Sequence, residues 1–241
     1  DAYAYMFKSS NKIFNAYGIT ILSTVVGTLA GLTMTVLMAY PLSRRDLPGR
    51  NVMAFYVFFT MLFSGGLVPT YIMYTRYIKV SGTIWALIIP SLLVNAFYVI
   101  MMRTYFTTNI PDAVIEAARI DGAGEFRILG TVVLPMSVPM IATMTLLIGL
   151  AYWNDWKNGL YYLQQNKSLY SIQVLLNEML RDVQALKSGM DAASAAEIAA
   201  TMPSTGIRMA IAVVGVLPVL VVYPFFQKYF VKGITIGAVK G

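Results

Sequence analysis

Five stretches of this chain run without a charged side chain: Ile13 to Ser43, Asn51 to Thr75, Val80 to Met102, Ile128 to Asn154 and Met209 to Gln227. The shortest covers 19 positions and the longest 31. About 20 apolar residues suffice for a helix to cross a bilayer. A charge at the centre of such a helix costs about 2.5–3.5 kcal/mol. The uncharged runs therefore predict five transmembrane helices, with approximate limits 17–40, 52–74, 83–104, 136–156 and 206–229. Gly27, Gly31, Pro69, Pro90, Pro139, Pro218 and Pro224 fall inside them. Membrane helices tolerate such residues where neighbours re-satisfy the freed backbone groups. Ser23, Gly27, Ala30 and Gly31 are small enough for close helix packing. Tyr17, Tyr40, Tyr74, Trp85, Tyr152, Trp153, Trp156 and Tyr223 gather near span ends, where amphipathic rings anchor at the interface.

Two polar segments interrupt the pattern. In the first, about 105–135, Ile110-Pro111-Asp112 reads as a helix start with Asn109 as N-cap, and Gly122 as its stop. A helix of about three turns is too short to stand alone in water and needs support from neighbours or a partner. Ala117 and Ala118 give it a smooth face; Glu116, Arg119 and Asp121 add charge that would set register. An ordinary surface helix is the alternative reading. A second helical stretch starts at Gly124-Glu125 and leads through Leu134-Pro135 into the fourth span. The second segment, about 157–205, carries apolar residues at Ile172, Leu175, Leu176, Met179, Leu180 and Val183, the spacing of one helix face. An Ala-rich stretch from Ala192 to Ala200 follows, then Pro203-Ser204-Thr205-Gly206 as breaker and cap. No internal repeat is visible.

Composition narrows the class. The 241 residues are 58% hydrophobic and 12% charged, against about 25% charged in a soluble domain. Cysteine and histidine are both absent. Thiolate chemistry, the commonest metal ligand and the commonest general base go with them. No catalytic or metal-binding residues are nominated. The formal charge of +7 suits Lys and Arg flanking apolar spans and facing lipid headgroups, with no nucleic-acid motif. Lys and Arg divide evenly between the two sides that five spans define, so charge bias alone does not orient the chain. Arg alone favours the side holding 105–135 as cytoplasmic. Gly122-Ala123-Gly124 lacks the Gly-x-x-x-x-Gly-Lys arrangement, so the chain is not expected to bind ATP itself. The first residue is Asp1, and no signal-peptide pattern opens the sequence.

Glu116-Ala117-Ala118, then Gly122, then Val132 and Leu134-Pro135, resembles the signature loop of permease subunits in binding-protein-dependent ABC importers. Val132 stands where Ile is usual. Ile110-Pro111-Asp112-Ala113, Trp153-Asn154-Asp155-Trp156 and the tail from Tyr229 to Gly241 are similar to the carbohydrate-uptake branch, nearest the oligosaccharide and polysaccharide-fragment importers. The resemblance implies an all-α, multi-pass helical bundle of the type I importer permease fold in a bacterial cytoplasmic (inner) membrane. Six spans are usual in that branch, so a further N-terminal span is expected beyond the five visible. It implies that Glu116, Ala117, Ala118, Arg119, Asp121 and Gly122 form a cytoplasmic coupling helix docked on an ATPase dimer. ATP and Mg would sit on that partner, with no cofactor on this chain. The 157–205 segment would face an extracytoplasmic solute-binding protein, and a sister permease would complete the path. The Gly-rich tail Gly233 to Gly241 is either an ATPase contact or a loose end.

Sugars are held by aromatic faces, amides and hydroxyls, and polar groups within spans are costly enough to suggest function. Asn95, Tyr98, Tyr152, Trp153, Asn154 and Trp156 are accordingly candidates for the sugar path. Interface anchoring competes for the aromatics, and interhelical hydrogen bonding for Asn95. Two other classes compete: an ion-gradient secondary transporter and a non-transporting membrane scaffold. The former would want inverted repeats and intramembrane acids, and neither is seen.

Overall fold

The computed structural model describes residues 10–188, 213, 215–221, 223 and 224. Among these the regular structure is helical, with no strand. Helix α1 covers Ser10–Ser43, α2 Arg50–Leu62 and α3 Leu67–Ile72, which continues as a π turn at Met73–Tyr77. Then come α4 (Trp85–Ile88), α5 (Ala96–Asn109), α6 (Asp112–Ile120) and α7 (Glu125–Ile128). A π turn at Leu129–Val133 joins α7 to α8 (Leu134–Met136), followed by α9 (Val138–Trp153), α10 (Lys157–Tyr162) and α11 (Ile172–Ser188). Residues 213, 215–221, 223 and 224 are helical and fall within the expected last span; its remainder lies outside the described residues, as do Ala192 to Ala200, Pro203 to Gly206 and the tail from Gly233.

α1 contains the whole expected 17–40 span and is the one described helix long and apolar enough to cross a bilayer alone, over Lys12–Ser43. The expected 52–74 span is bent within its length, and the expected 136–156 span is α9, with a bend at its start. α2 meets the Leu67–Tyr77 helix at 111°, and Glu125–Met136 meets α9 at 87°. Counted singly or as bent pairs, these give one to three crossings among the described residues. The first bend follows from Ser64-Gly65-Gly66, where Gly66 adopts a φ of 85°. The second falls at Ser137, just before Pro139, whose missing N–H suits a helix start. The 83–104 stretch is two helices rather than one. Pro90 and Ser91, at a φ of 62°, separate α4 from α5, and Asn95 caps the latter by accepting Phe97 N–H at 2.9 Å.

The chain divides into two compact units. One contains the described parts of Asp1–Val25, Tyr71–Pro90 and Leu150–Pro224. Its core joins Ile13, Ala16 and Trp153 to the buried face of α11, Ile172, Leu175 and Leu176, with Met179 and Leu180 packed alongside. This is the periodicity legible in the sequence. Thr20 Oγ1 accepts the N–H of Ile172 at 2.8 Å, fixing where α11 begins against α1. A second cluster seats Leu87 of α4 against Tyr162, Leu163 and Val174. There α10 and α11 approach so closely that a Cβ at Gly159 would lie 2.3 Å from Val174 Cγ2.

The other unit contains the described parts of Val26–Thr70, Ser91–Gly149 and Phe225–Gly241. Val36, Ala39 and Tyr40 of α1, Val99, Met102 and Phe106 of α5, and Met144 and Ile148 of α9 are buried in it. Gly31 supplies a close approach: a Cβ there would be 3.3 Å from Ile148 Cγ2 and 3.4 Å from the Leu93 carbonyl. α2 buries no residue at all and exposes Val52, Phe55, Tyr56, Phe59 and Leu62. Such a surface suits hydrocarbon or another apolar chain rather than water.

Candidate functional site

The charged segment between α5 and α7 folds as the composition of Asp112 to Ile120 dictates. Asp112 stands in the first turn and Arg119 in the last, complementing the helix dipole. Pro111 is the N-cap of α6, with no side-chain cap bond. Asn109 is not: it ends α5, and its Nδ2 donates to the Tyr105 carbonyl at 3.2 Å and to Thr108 Oγ1 at 2.8 Å. The rigid proline needs no donor satisfied there, which left Asn109 free to close the preceding helix. Gly122 adopts a φ of 78°, the left-handed stop expected of it.

One face of α6 is anchored and the other is open. Ile115 is buried, Ala118 is half-buried, and Glu116, Ala117, Asp121 and Gly122 are exposed. Beside them Ile120 is 86% exposed and Phe126 83% exposed. Two large apolar side chains held out this far, next to a polar helix, form a contact surface that none of the described residues covers.

Arg119 is committed elsewhere. Its Nη2 donates to Asp46 Oδ2 at 2.6 Å and to Glu125 Oε1 at 2.6 Å, and its Nε reaches the same Oε1 at 3.0 Å. Glu125 Oε2 accepts the Tyr40 hydroxyl at 2.5 Å. Arg44 Nε approaches Asp46 at 3.6 Å, and Arg45 approaches Asp112 at 3.7 Å. The last turn of α6 is thus tied to the end of α1, the loop after it and the first turn of α7. Arg119 holds the Asp46 carboxyl below its ordinary range. The Tyr40 hydroxyl, and then Arg119, do the same for Glu125 against the opposing cost of burial. Both carboxylates in turn raise the Arg119 pKa. Tyr40, Asp46 and Glu125 had no place in the sequence-derived site. Tyr40 read only as an interface ring, and no local pattern links it to a residue 85 positions on.

The six path candidates separate. Tyr152, Trp153, Asn154 and Trp156 belong to the first unit, Asn95 and Tyr98 to the second. Tyr152 is buried and donates its hydroxyl to the Ile88 carbonyl at 2.8 Å. Trp153 is buried and donates Nε1 to the Gly215 carbonyl at 3.0 Å. Asn95 spends its side-chain oxygen on the cap of α5, and Tyr98 beside it is half-buried. Asn154 and Trp156 line a cleft of about 420 Å³ in the first unit. Between them Asp155 Oδ1 accepts the N–H groups of Lys157 at 3.2 Å and Asn158 at 3.3 Å, starting α10. Among the described residues no three His, Cys, Asp or Glu side chains converge as metal ligands would.

Residues 27–236 match the family model described as "Binding-protein-dependent transport system inner membrane component". The chain belongs to this family. The permease is 41% identical, over its whole length and 82% of the relative, to the polygalacturonan/rhamnogalacturonan transport system permease protein YtcP of Bacillus subtilis (strain 168). Protein LplC of the same organism is 38% identical over the whole of this chain and 79% of its own. Among solved structures, a chain of a bacterial ABC transporter involved in the import of the acidic polysaccharide alginate superposes with a TM-score of 0.80 at 31% identity, covering 95% of this permease and 79% of that chain. The all-α permease fold expected from the sequence is the fold found. The permease is an inner-membrane component of an ABC importer, a machine that in general also has an ATPase and a binding protein.

Proposed function

We propose that this permease pairs with a sister subunit to form the path for an oligosaccharide, and that ATP is hydrolysed by partner chains rather than by this one. The observation that carries the reading is the open face of α6: Ile120 and Phe126 stand out beside Glu116 and Ala117 while Ile115 and Arg119 tie the other side down. A cytoplasmic ATPase dimer is the partner for that face, with ATP and Mg2+ on the ATPase. This puts 105–135 in the cytoplasm of a bacterium and 157–205 outside, toward the solute-binding protein. The relatives named for polygalacturonan, rhamnogalacturonan and alginate favour a fragment of an acidic polysaccharide as cargo.

In mechanism, α6 is a lever with two stable settings. Nucleotide binding closes the ATPase dimer and carries α6 with it. The loaded binding protein favours the same setting from outside, so the two ligands are linked through one equilibrium. Hydrolysis releases the ATPase dimer and returns the path to its inward-facing state.

The test is reconstitution with the sister permease, ATPase and binding protein. Loaded binding protein should stimulate ATP hydrolysis, and Ala117→Cys should cross-link to a cysteine placed on the ATPase surface. Uptake driven by an ion gradient without ATP would establish a secondary transporter instead, and no transport in any mode would leave a scaffold.

A further inference from the structure

The cleft that takes in Asn154 and Trp156 contains more chemistry than the sequence suggested. Gln173 and Asn177, one turn apart on α11, complete a set of three carboxamides around it. Leu176 and Val216 contribute apolar walls. Its volume, about 420 Å³, falls in the range of about 300–1,000 Å³ usual for small-molecule sites. The polar groups are open. Asn154 Nδ2 donates to the Leu150 carbonyl at 2.9 Å, which leaves its side-chain oxygen. Gln173, Asn177 and Trp156 Nε1 make no hydrogen bond within the described residues. Neighbouring carboxamides in the same unit are spent: Asn15 on the Ser168 carbonyl, Asn158 on that of Pro90 and Asn166 on that of Gly82. Asn154 is exposed and Gln173 and Asn177 are half-buried, so their free donors and acceptors face the cleft's solvent and are available to a ligand.

The lining excludes several occupants. Among the described residues no Lys, Arg, Asp or Glu side chain lines the cleft, so none of them offers a counter-charge to a phosphate or a carboxylate. An acyl chain would strand three carboxamides without partners, at the desolvation cost of each. What remains is an uncharged polyhydroxyl surface that can lay its C–H face on Trp156 and its hydroxyls on Asn154, Gln173 and Asn177. We infer that this cleft is a saccharide subsite that takes the hydroxyl-bearing face of a sugar ring, its carboxylate left outward. The inference rests on the transport reading above and adds to it Gln173 and Asn177. Tyr152 and Trp153 hold the walls instead, through the Ile88 and Gly215 carbonyls. Gly215 keeps the floor low: a Cβ there would sit 3.5 Å from Leu176 Cδ1 and 3.7 Å from Gln173 Nε2, in contact without a clash.

The experiment uses the assembled importer in lipid nanodiscs, with trigalacturonate as the probe, and reads both direct binding and uptake in proteoliposomes. Gln173→Ala with Asn177→Ala should weaken binding about tenfold, the loss of two neutral hydrogen bonds. Trp156→Phe should bind more tightly than Trp156→Ala, and Gly215→Ala should weaken binding by narrowing the cleft. Because the described lining is neutral, the cleft's share of affinity should hold between about 50 and 500 mM salt. Assembly of the importer, read by size-exclusion chromatography, should persist in all of these variants. Variants that bind as wild type does, or a phospholipid retained in the cleft, would overturn the subsite alone. A wild-type importer that takes up no saccharide would overturn the transport reading and the subsite with it.

Discussion

The Tyr40 hydroxyl, at the end of the longest helix, donates to the carboxylate of Glu125 across 2.5 Å, and that carboxylate is the one that grips Arg119. A displacement of α6 therefore reaches α1 through polar groups and not only through side-chain packing. Directional contacts of this kind transmit a rotation that a greasy interface would absorb by sliding.

Tyr40→Phe removes one hydrogen bond to a carboxylate, worth about 1.5–3 kcal/mol, and changes little else in a buried ring. The permease should insert and assemble normally. Hydrolysis by the ATPase should become less dependent on loaded binding protein, with uptake per ATP falling several-fold. Arg119→Lys keeps the charge but cannot reach Asp46 and Glu125 in the same fork, so it should uncouple more than Tyr40→Phe. Equal uptake per ATP in wild type and both variants would show that the tie carries no motion.

The same groups set an acid limit. Asp46 and Glu125 both have depressed pKa values in the folded permease, so the stabilisation they supply is fully present above their ordinary values of 3.8 and 4.5. It is lost as pH falls below those values and the carboxylates protonate. Coupling should therefore be flat through the neutral range and fail only in strong acid. Both groups are about half exposed, so salt should weaken the tie. Measuring uptake per ATP against pH checks this, and Asp46→Asn should flatten part of the acid limb. A break in coupling near neutral pH would place control on some other group.

How far the sequence reached depended on whether a feature was local. The apolar face of α11 at Ile172, Leu175 and Leu176 obeys a helical period, and those residues are buried, as is Val174 beside them. Gly122 stops α6 because only a residue free of Cβ enters a φ of 78° cheaply. The bends at Gly65-Gly66 and Ser137 were invisible to a ruler that counts charges, since glycine and serine carry none. Asn109 shows how two local signals compete: it suits an N-cap, yet Pro111 already fixes the chain's entry to α6 and Asn109 closes α5. The tie from Tyr40 to Glu125, and the meeting of Trp156 with Gln173 and Asn177, are products of tertiary packing. Only the i, i+4 spacing of Gln173 and Asn177 was there to be read, on the flank of the apolar face of the same helix.

Among the described glycines of the first unit, Gly159 is the most tightly packed. A methyl group there would lie 2.3 Å from Val174 Cγ2, with Leu87 Cδ2 at 3.6 Å behind it. Val174 is buried and its branched side chain has few rotamers to escape into. Gly159→Ala should therefore destabilise the permease by about 1–3 kcal/mol, the usual cost of overpacking. Thermal unfolding in detergent would report it as a lowered midpoint. Val174→Ala alone should also destabilise, by leaving a void. Together the two changes should cost less than their sum, because the new methyl occupies part of the space the valine gave up. Strict additivity in this double-mutant cycle would mean that α10 and α11 do not meet at these two residues.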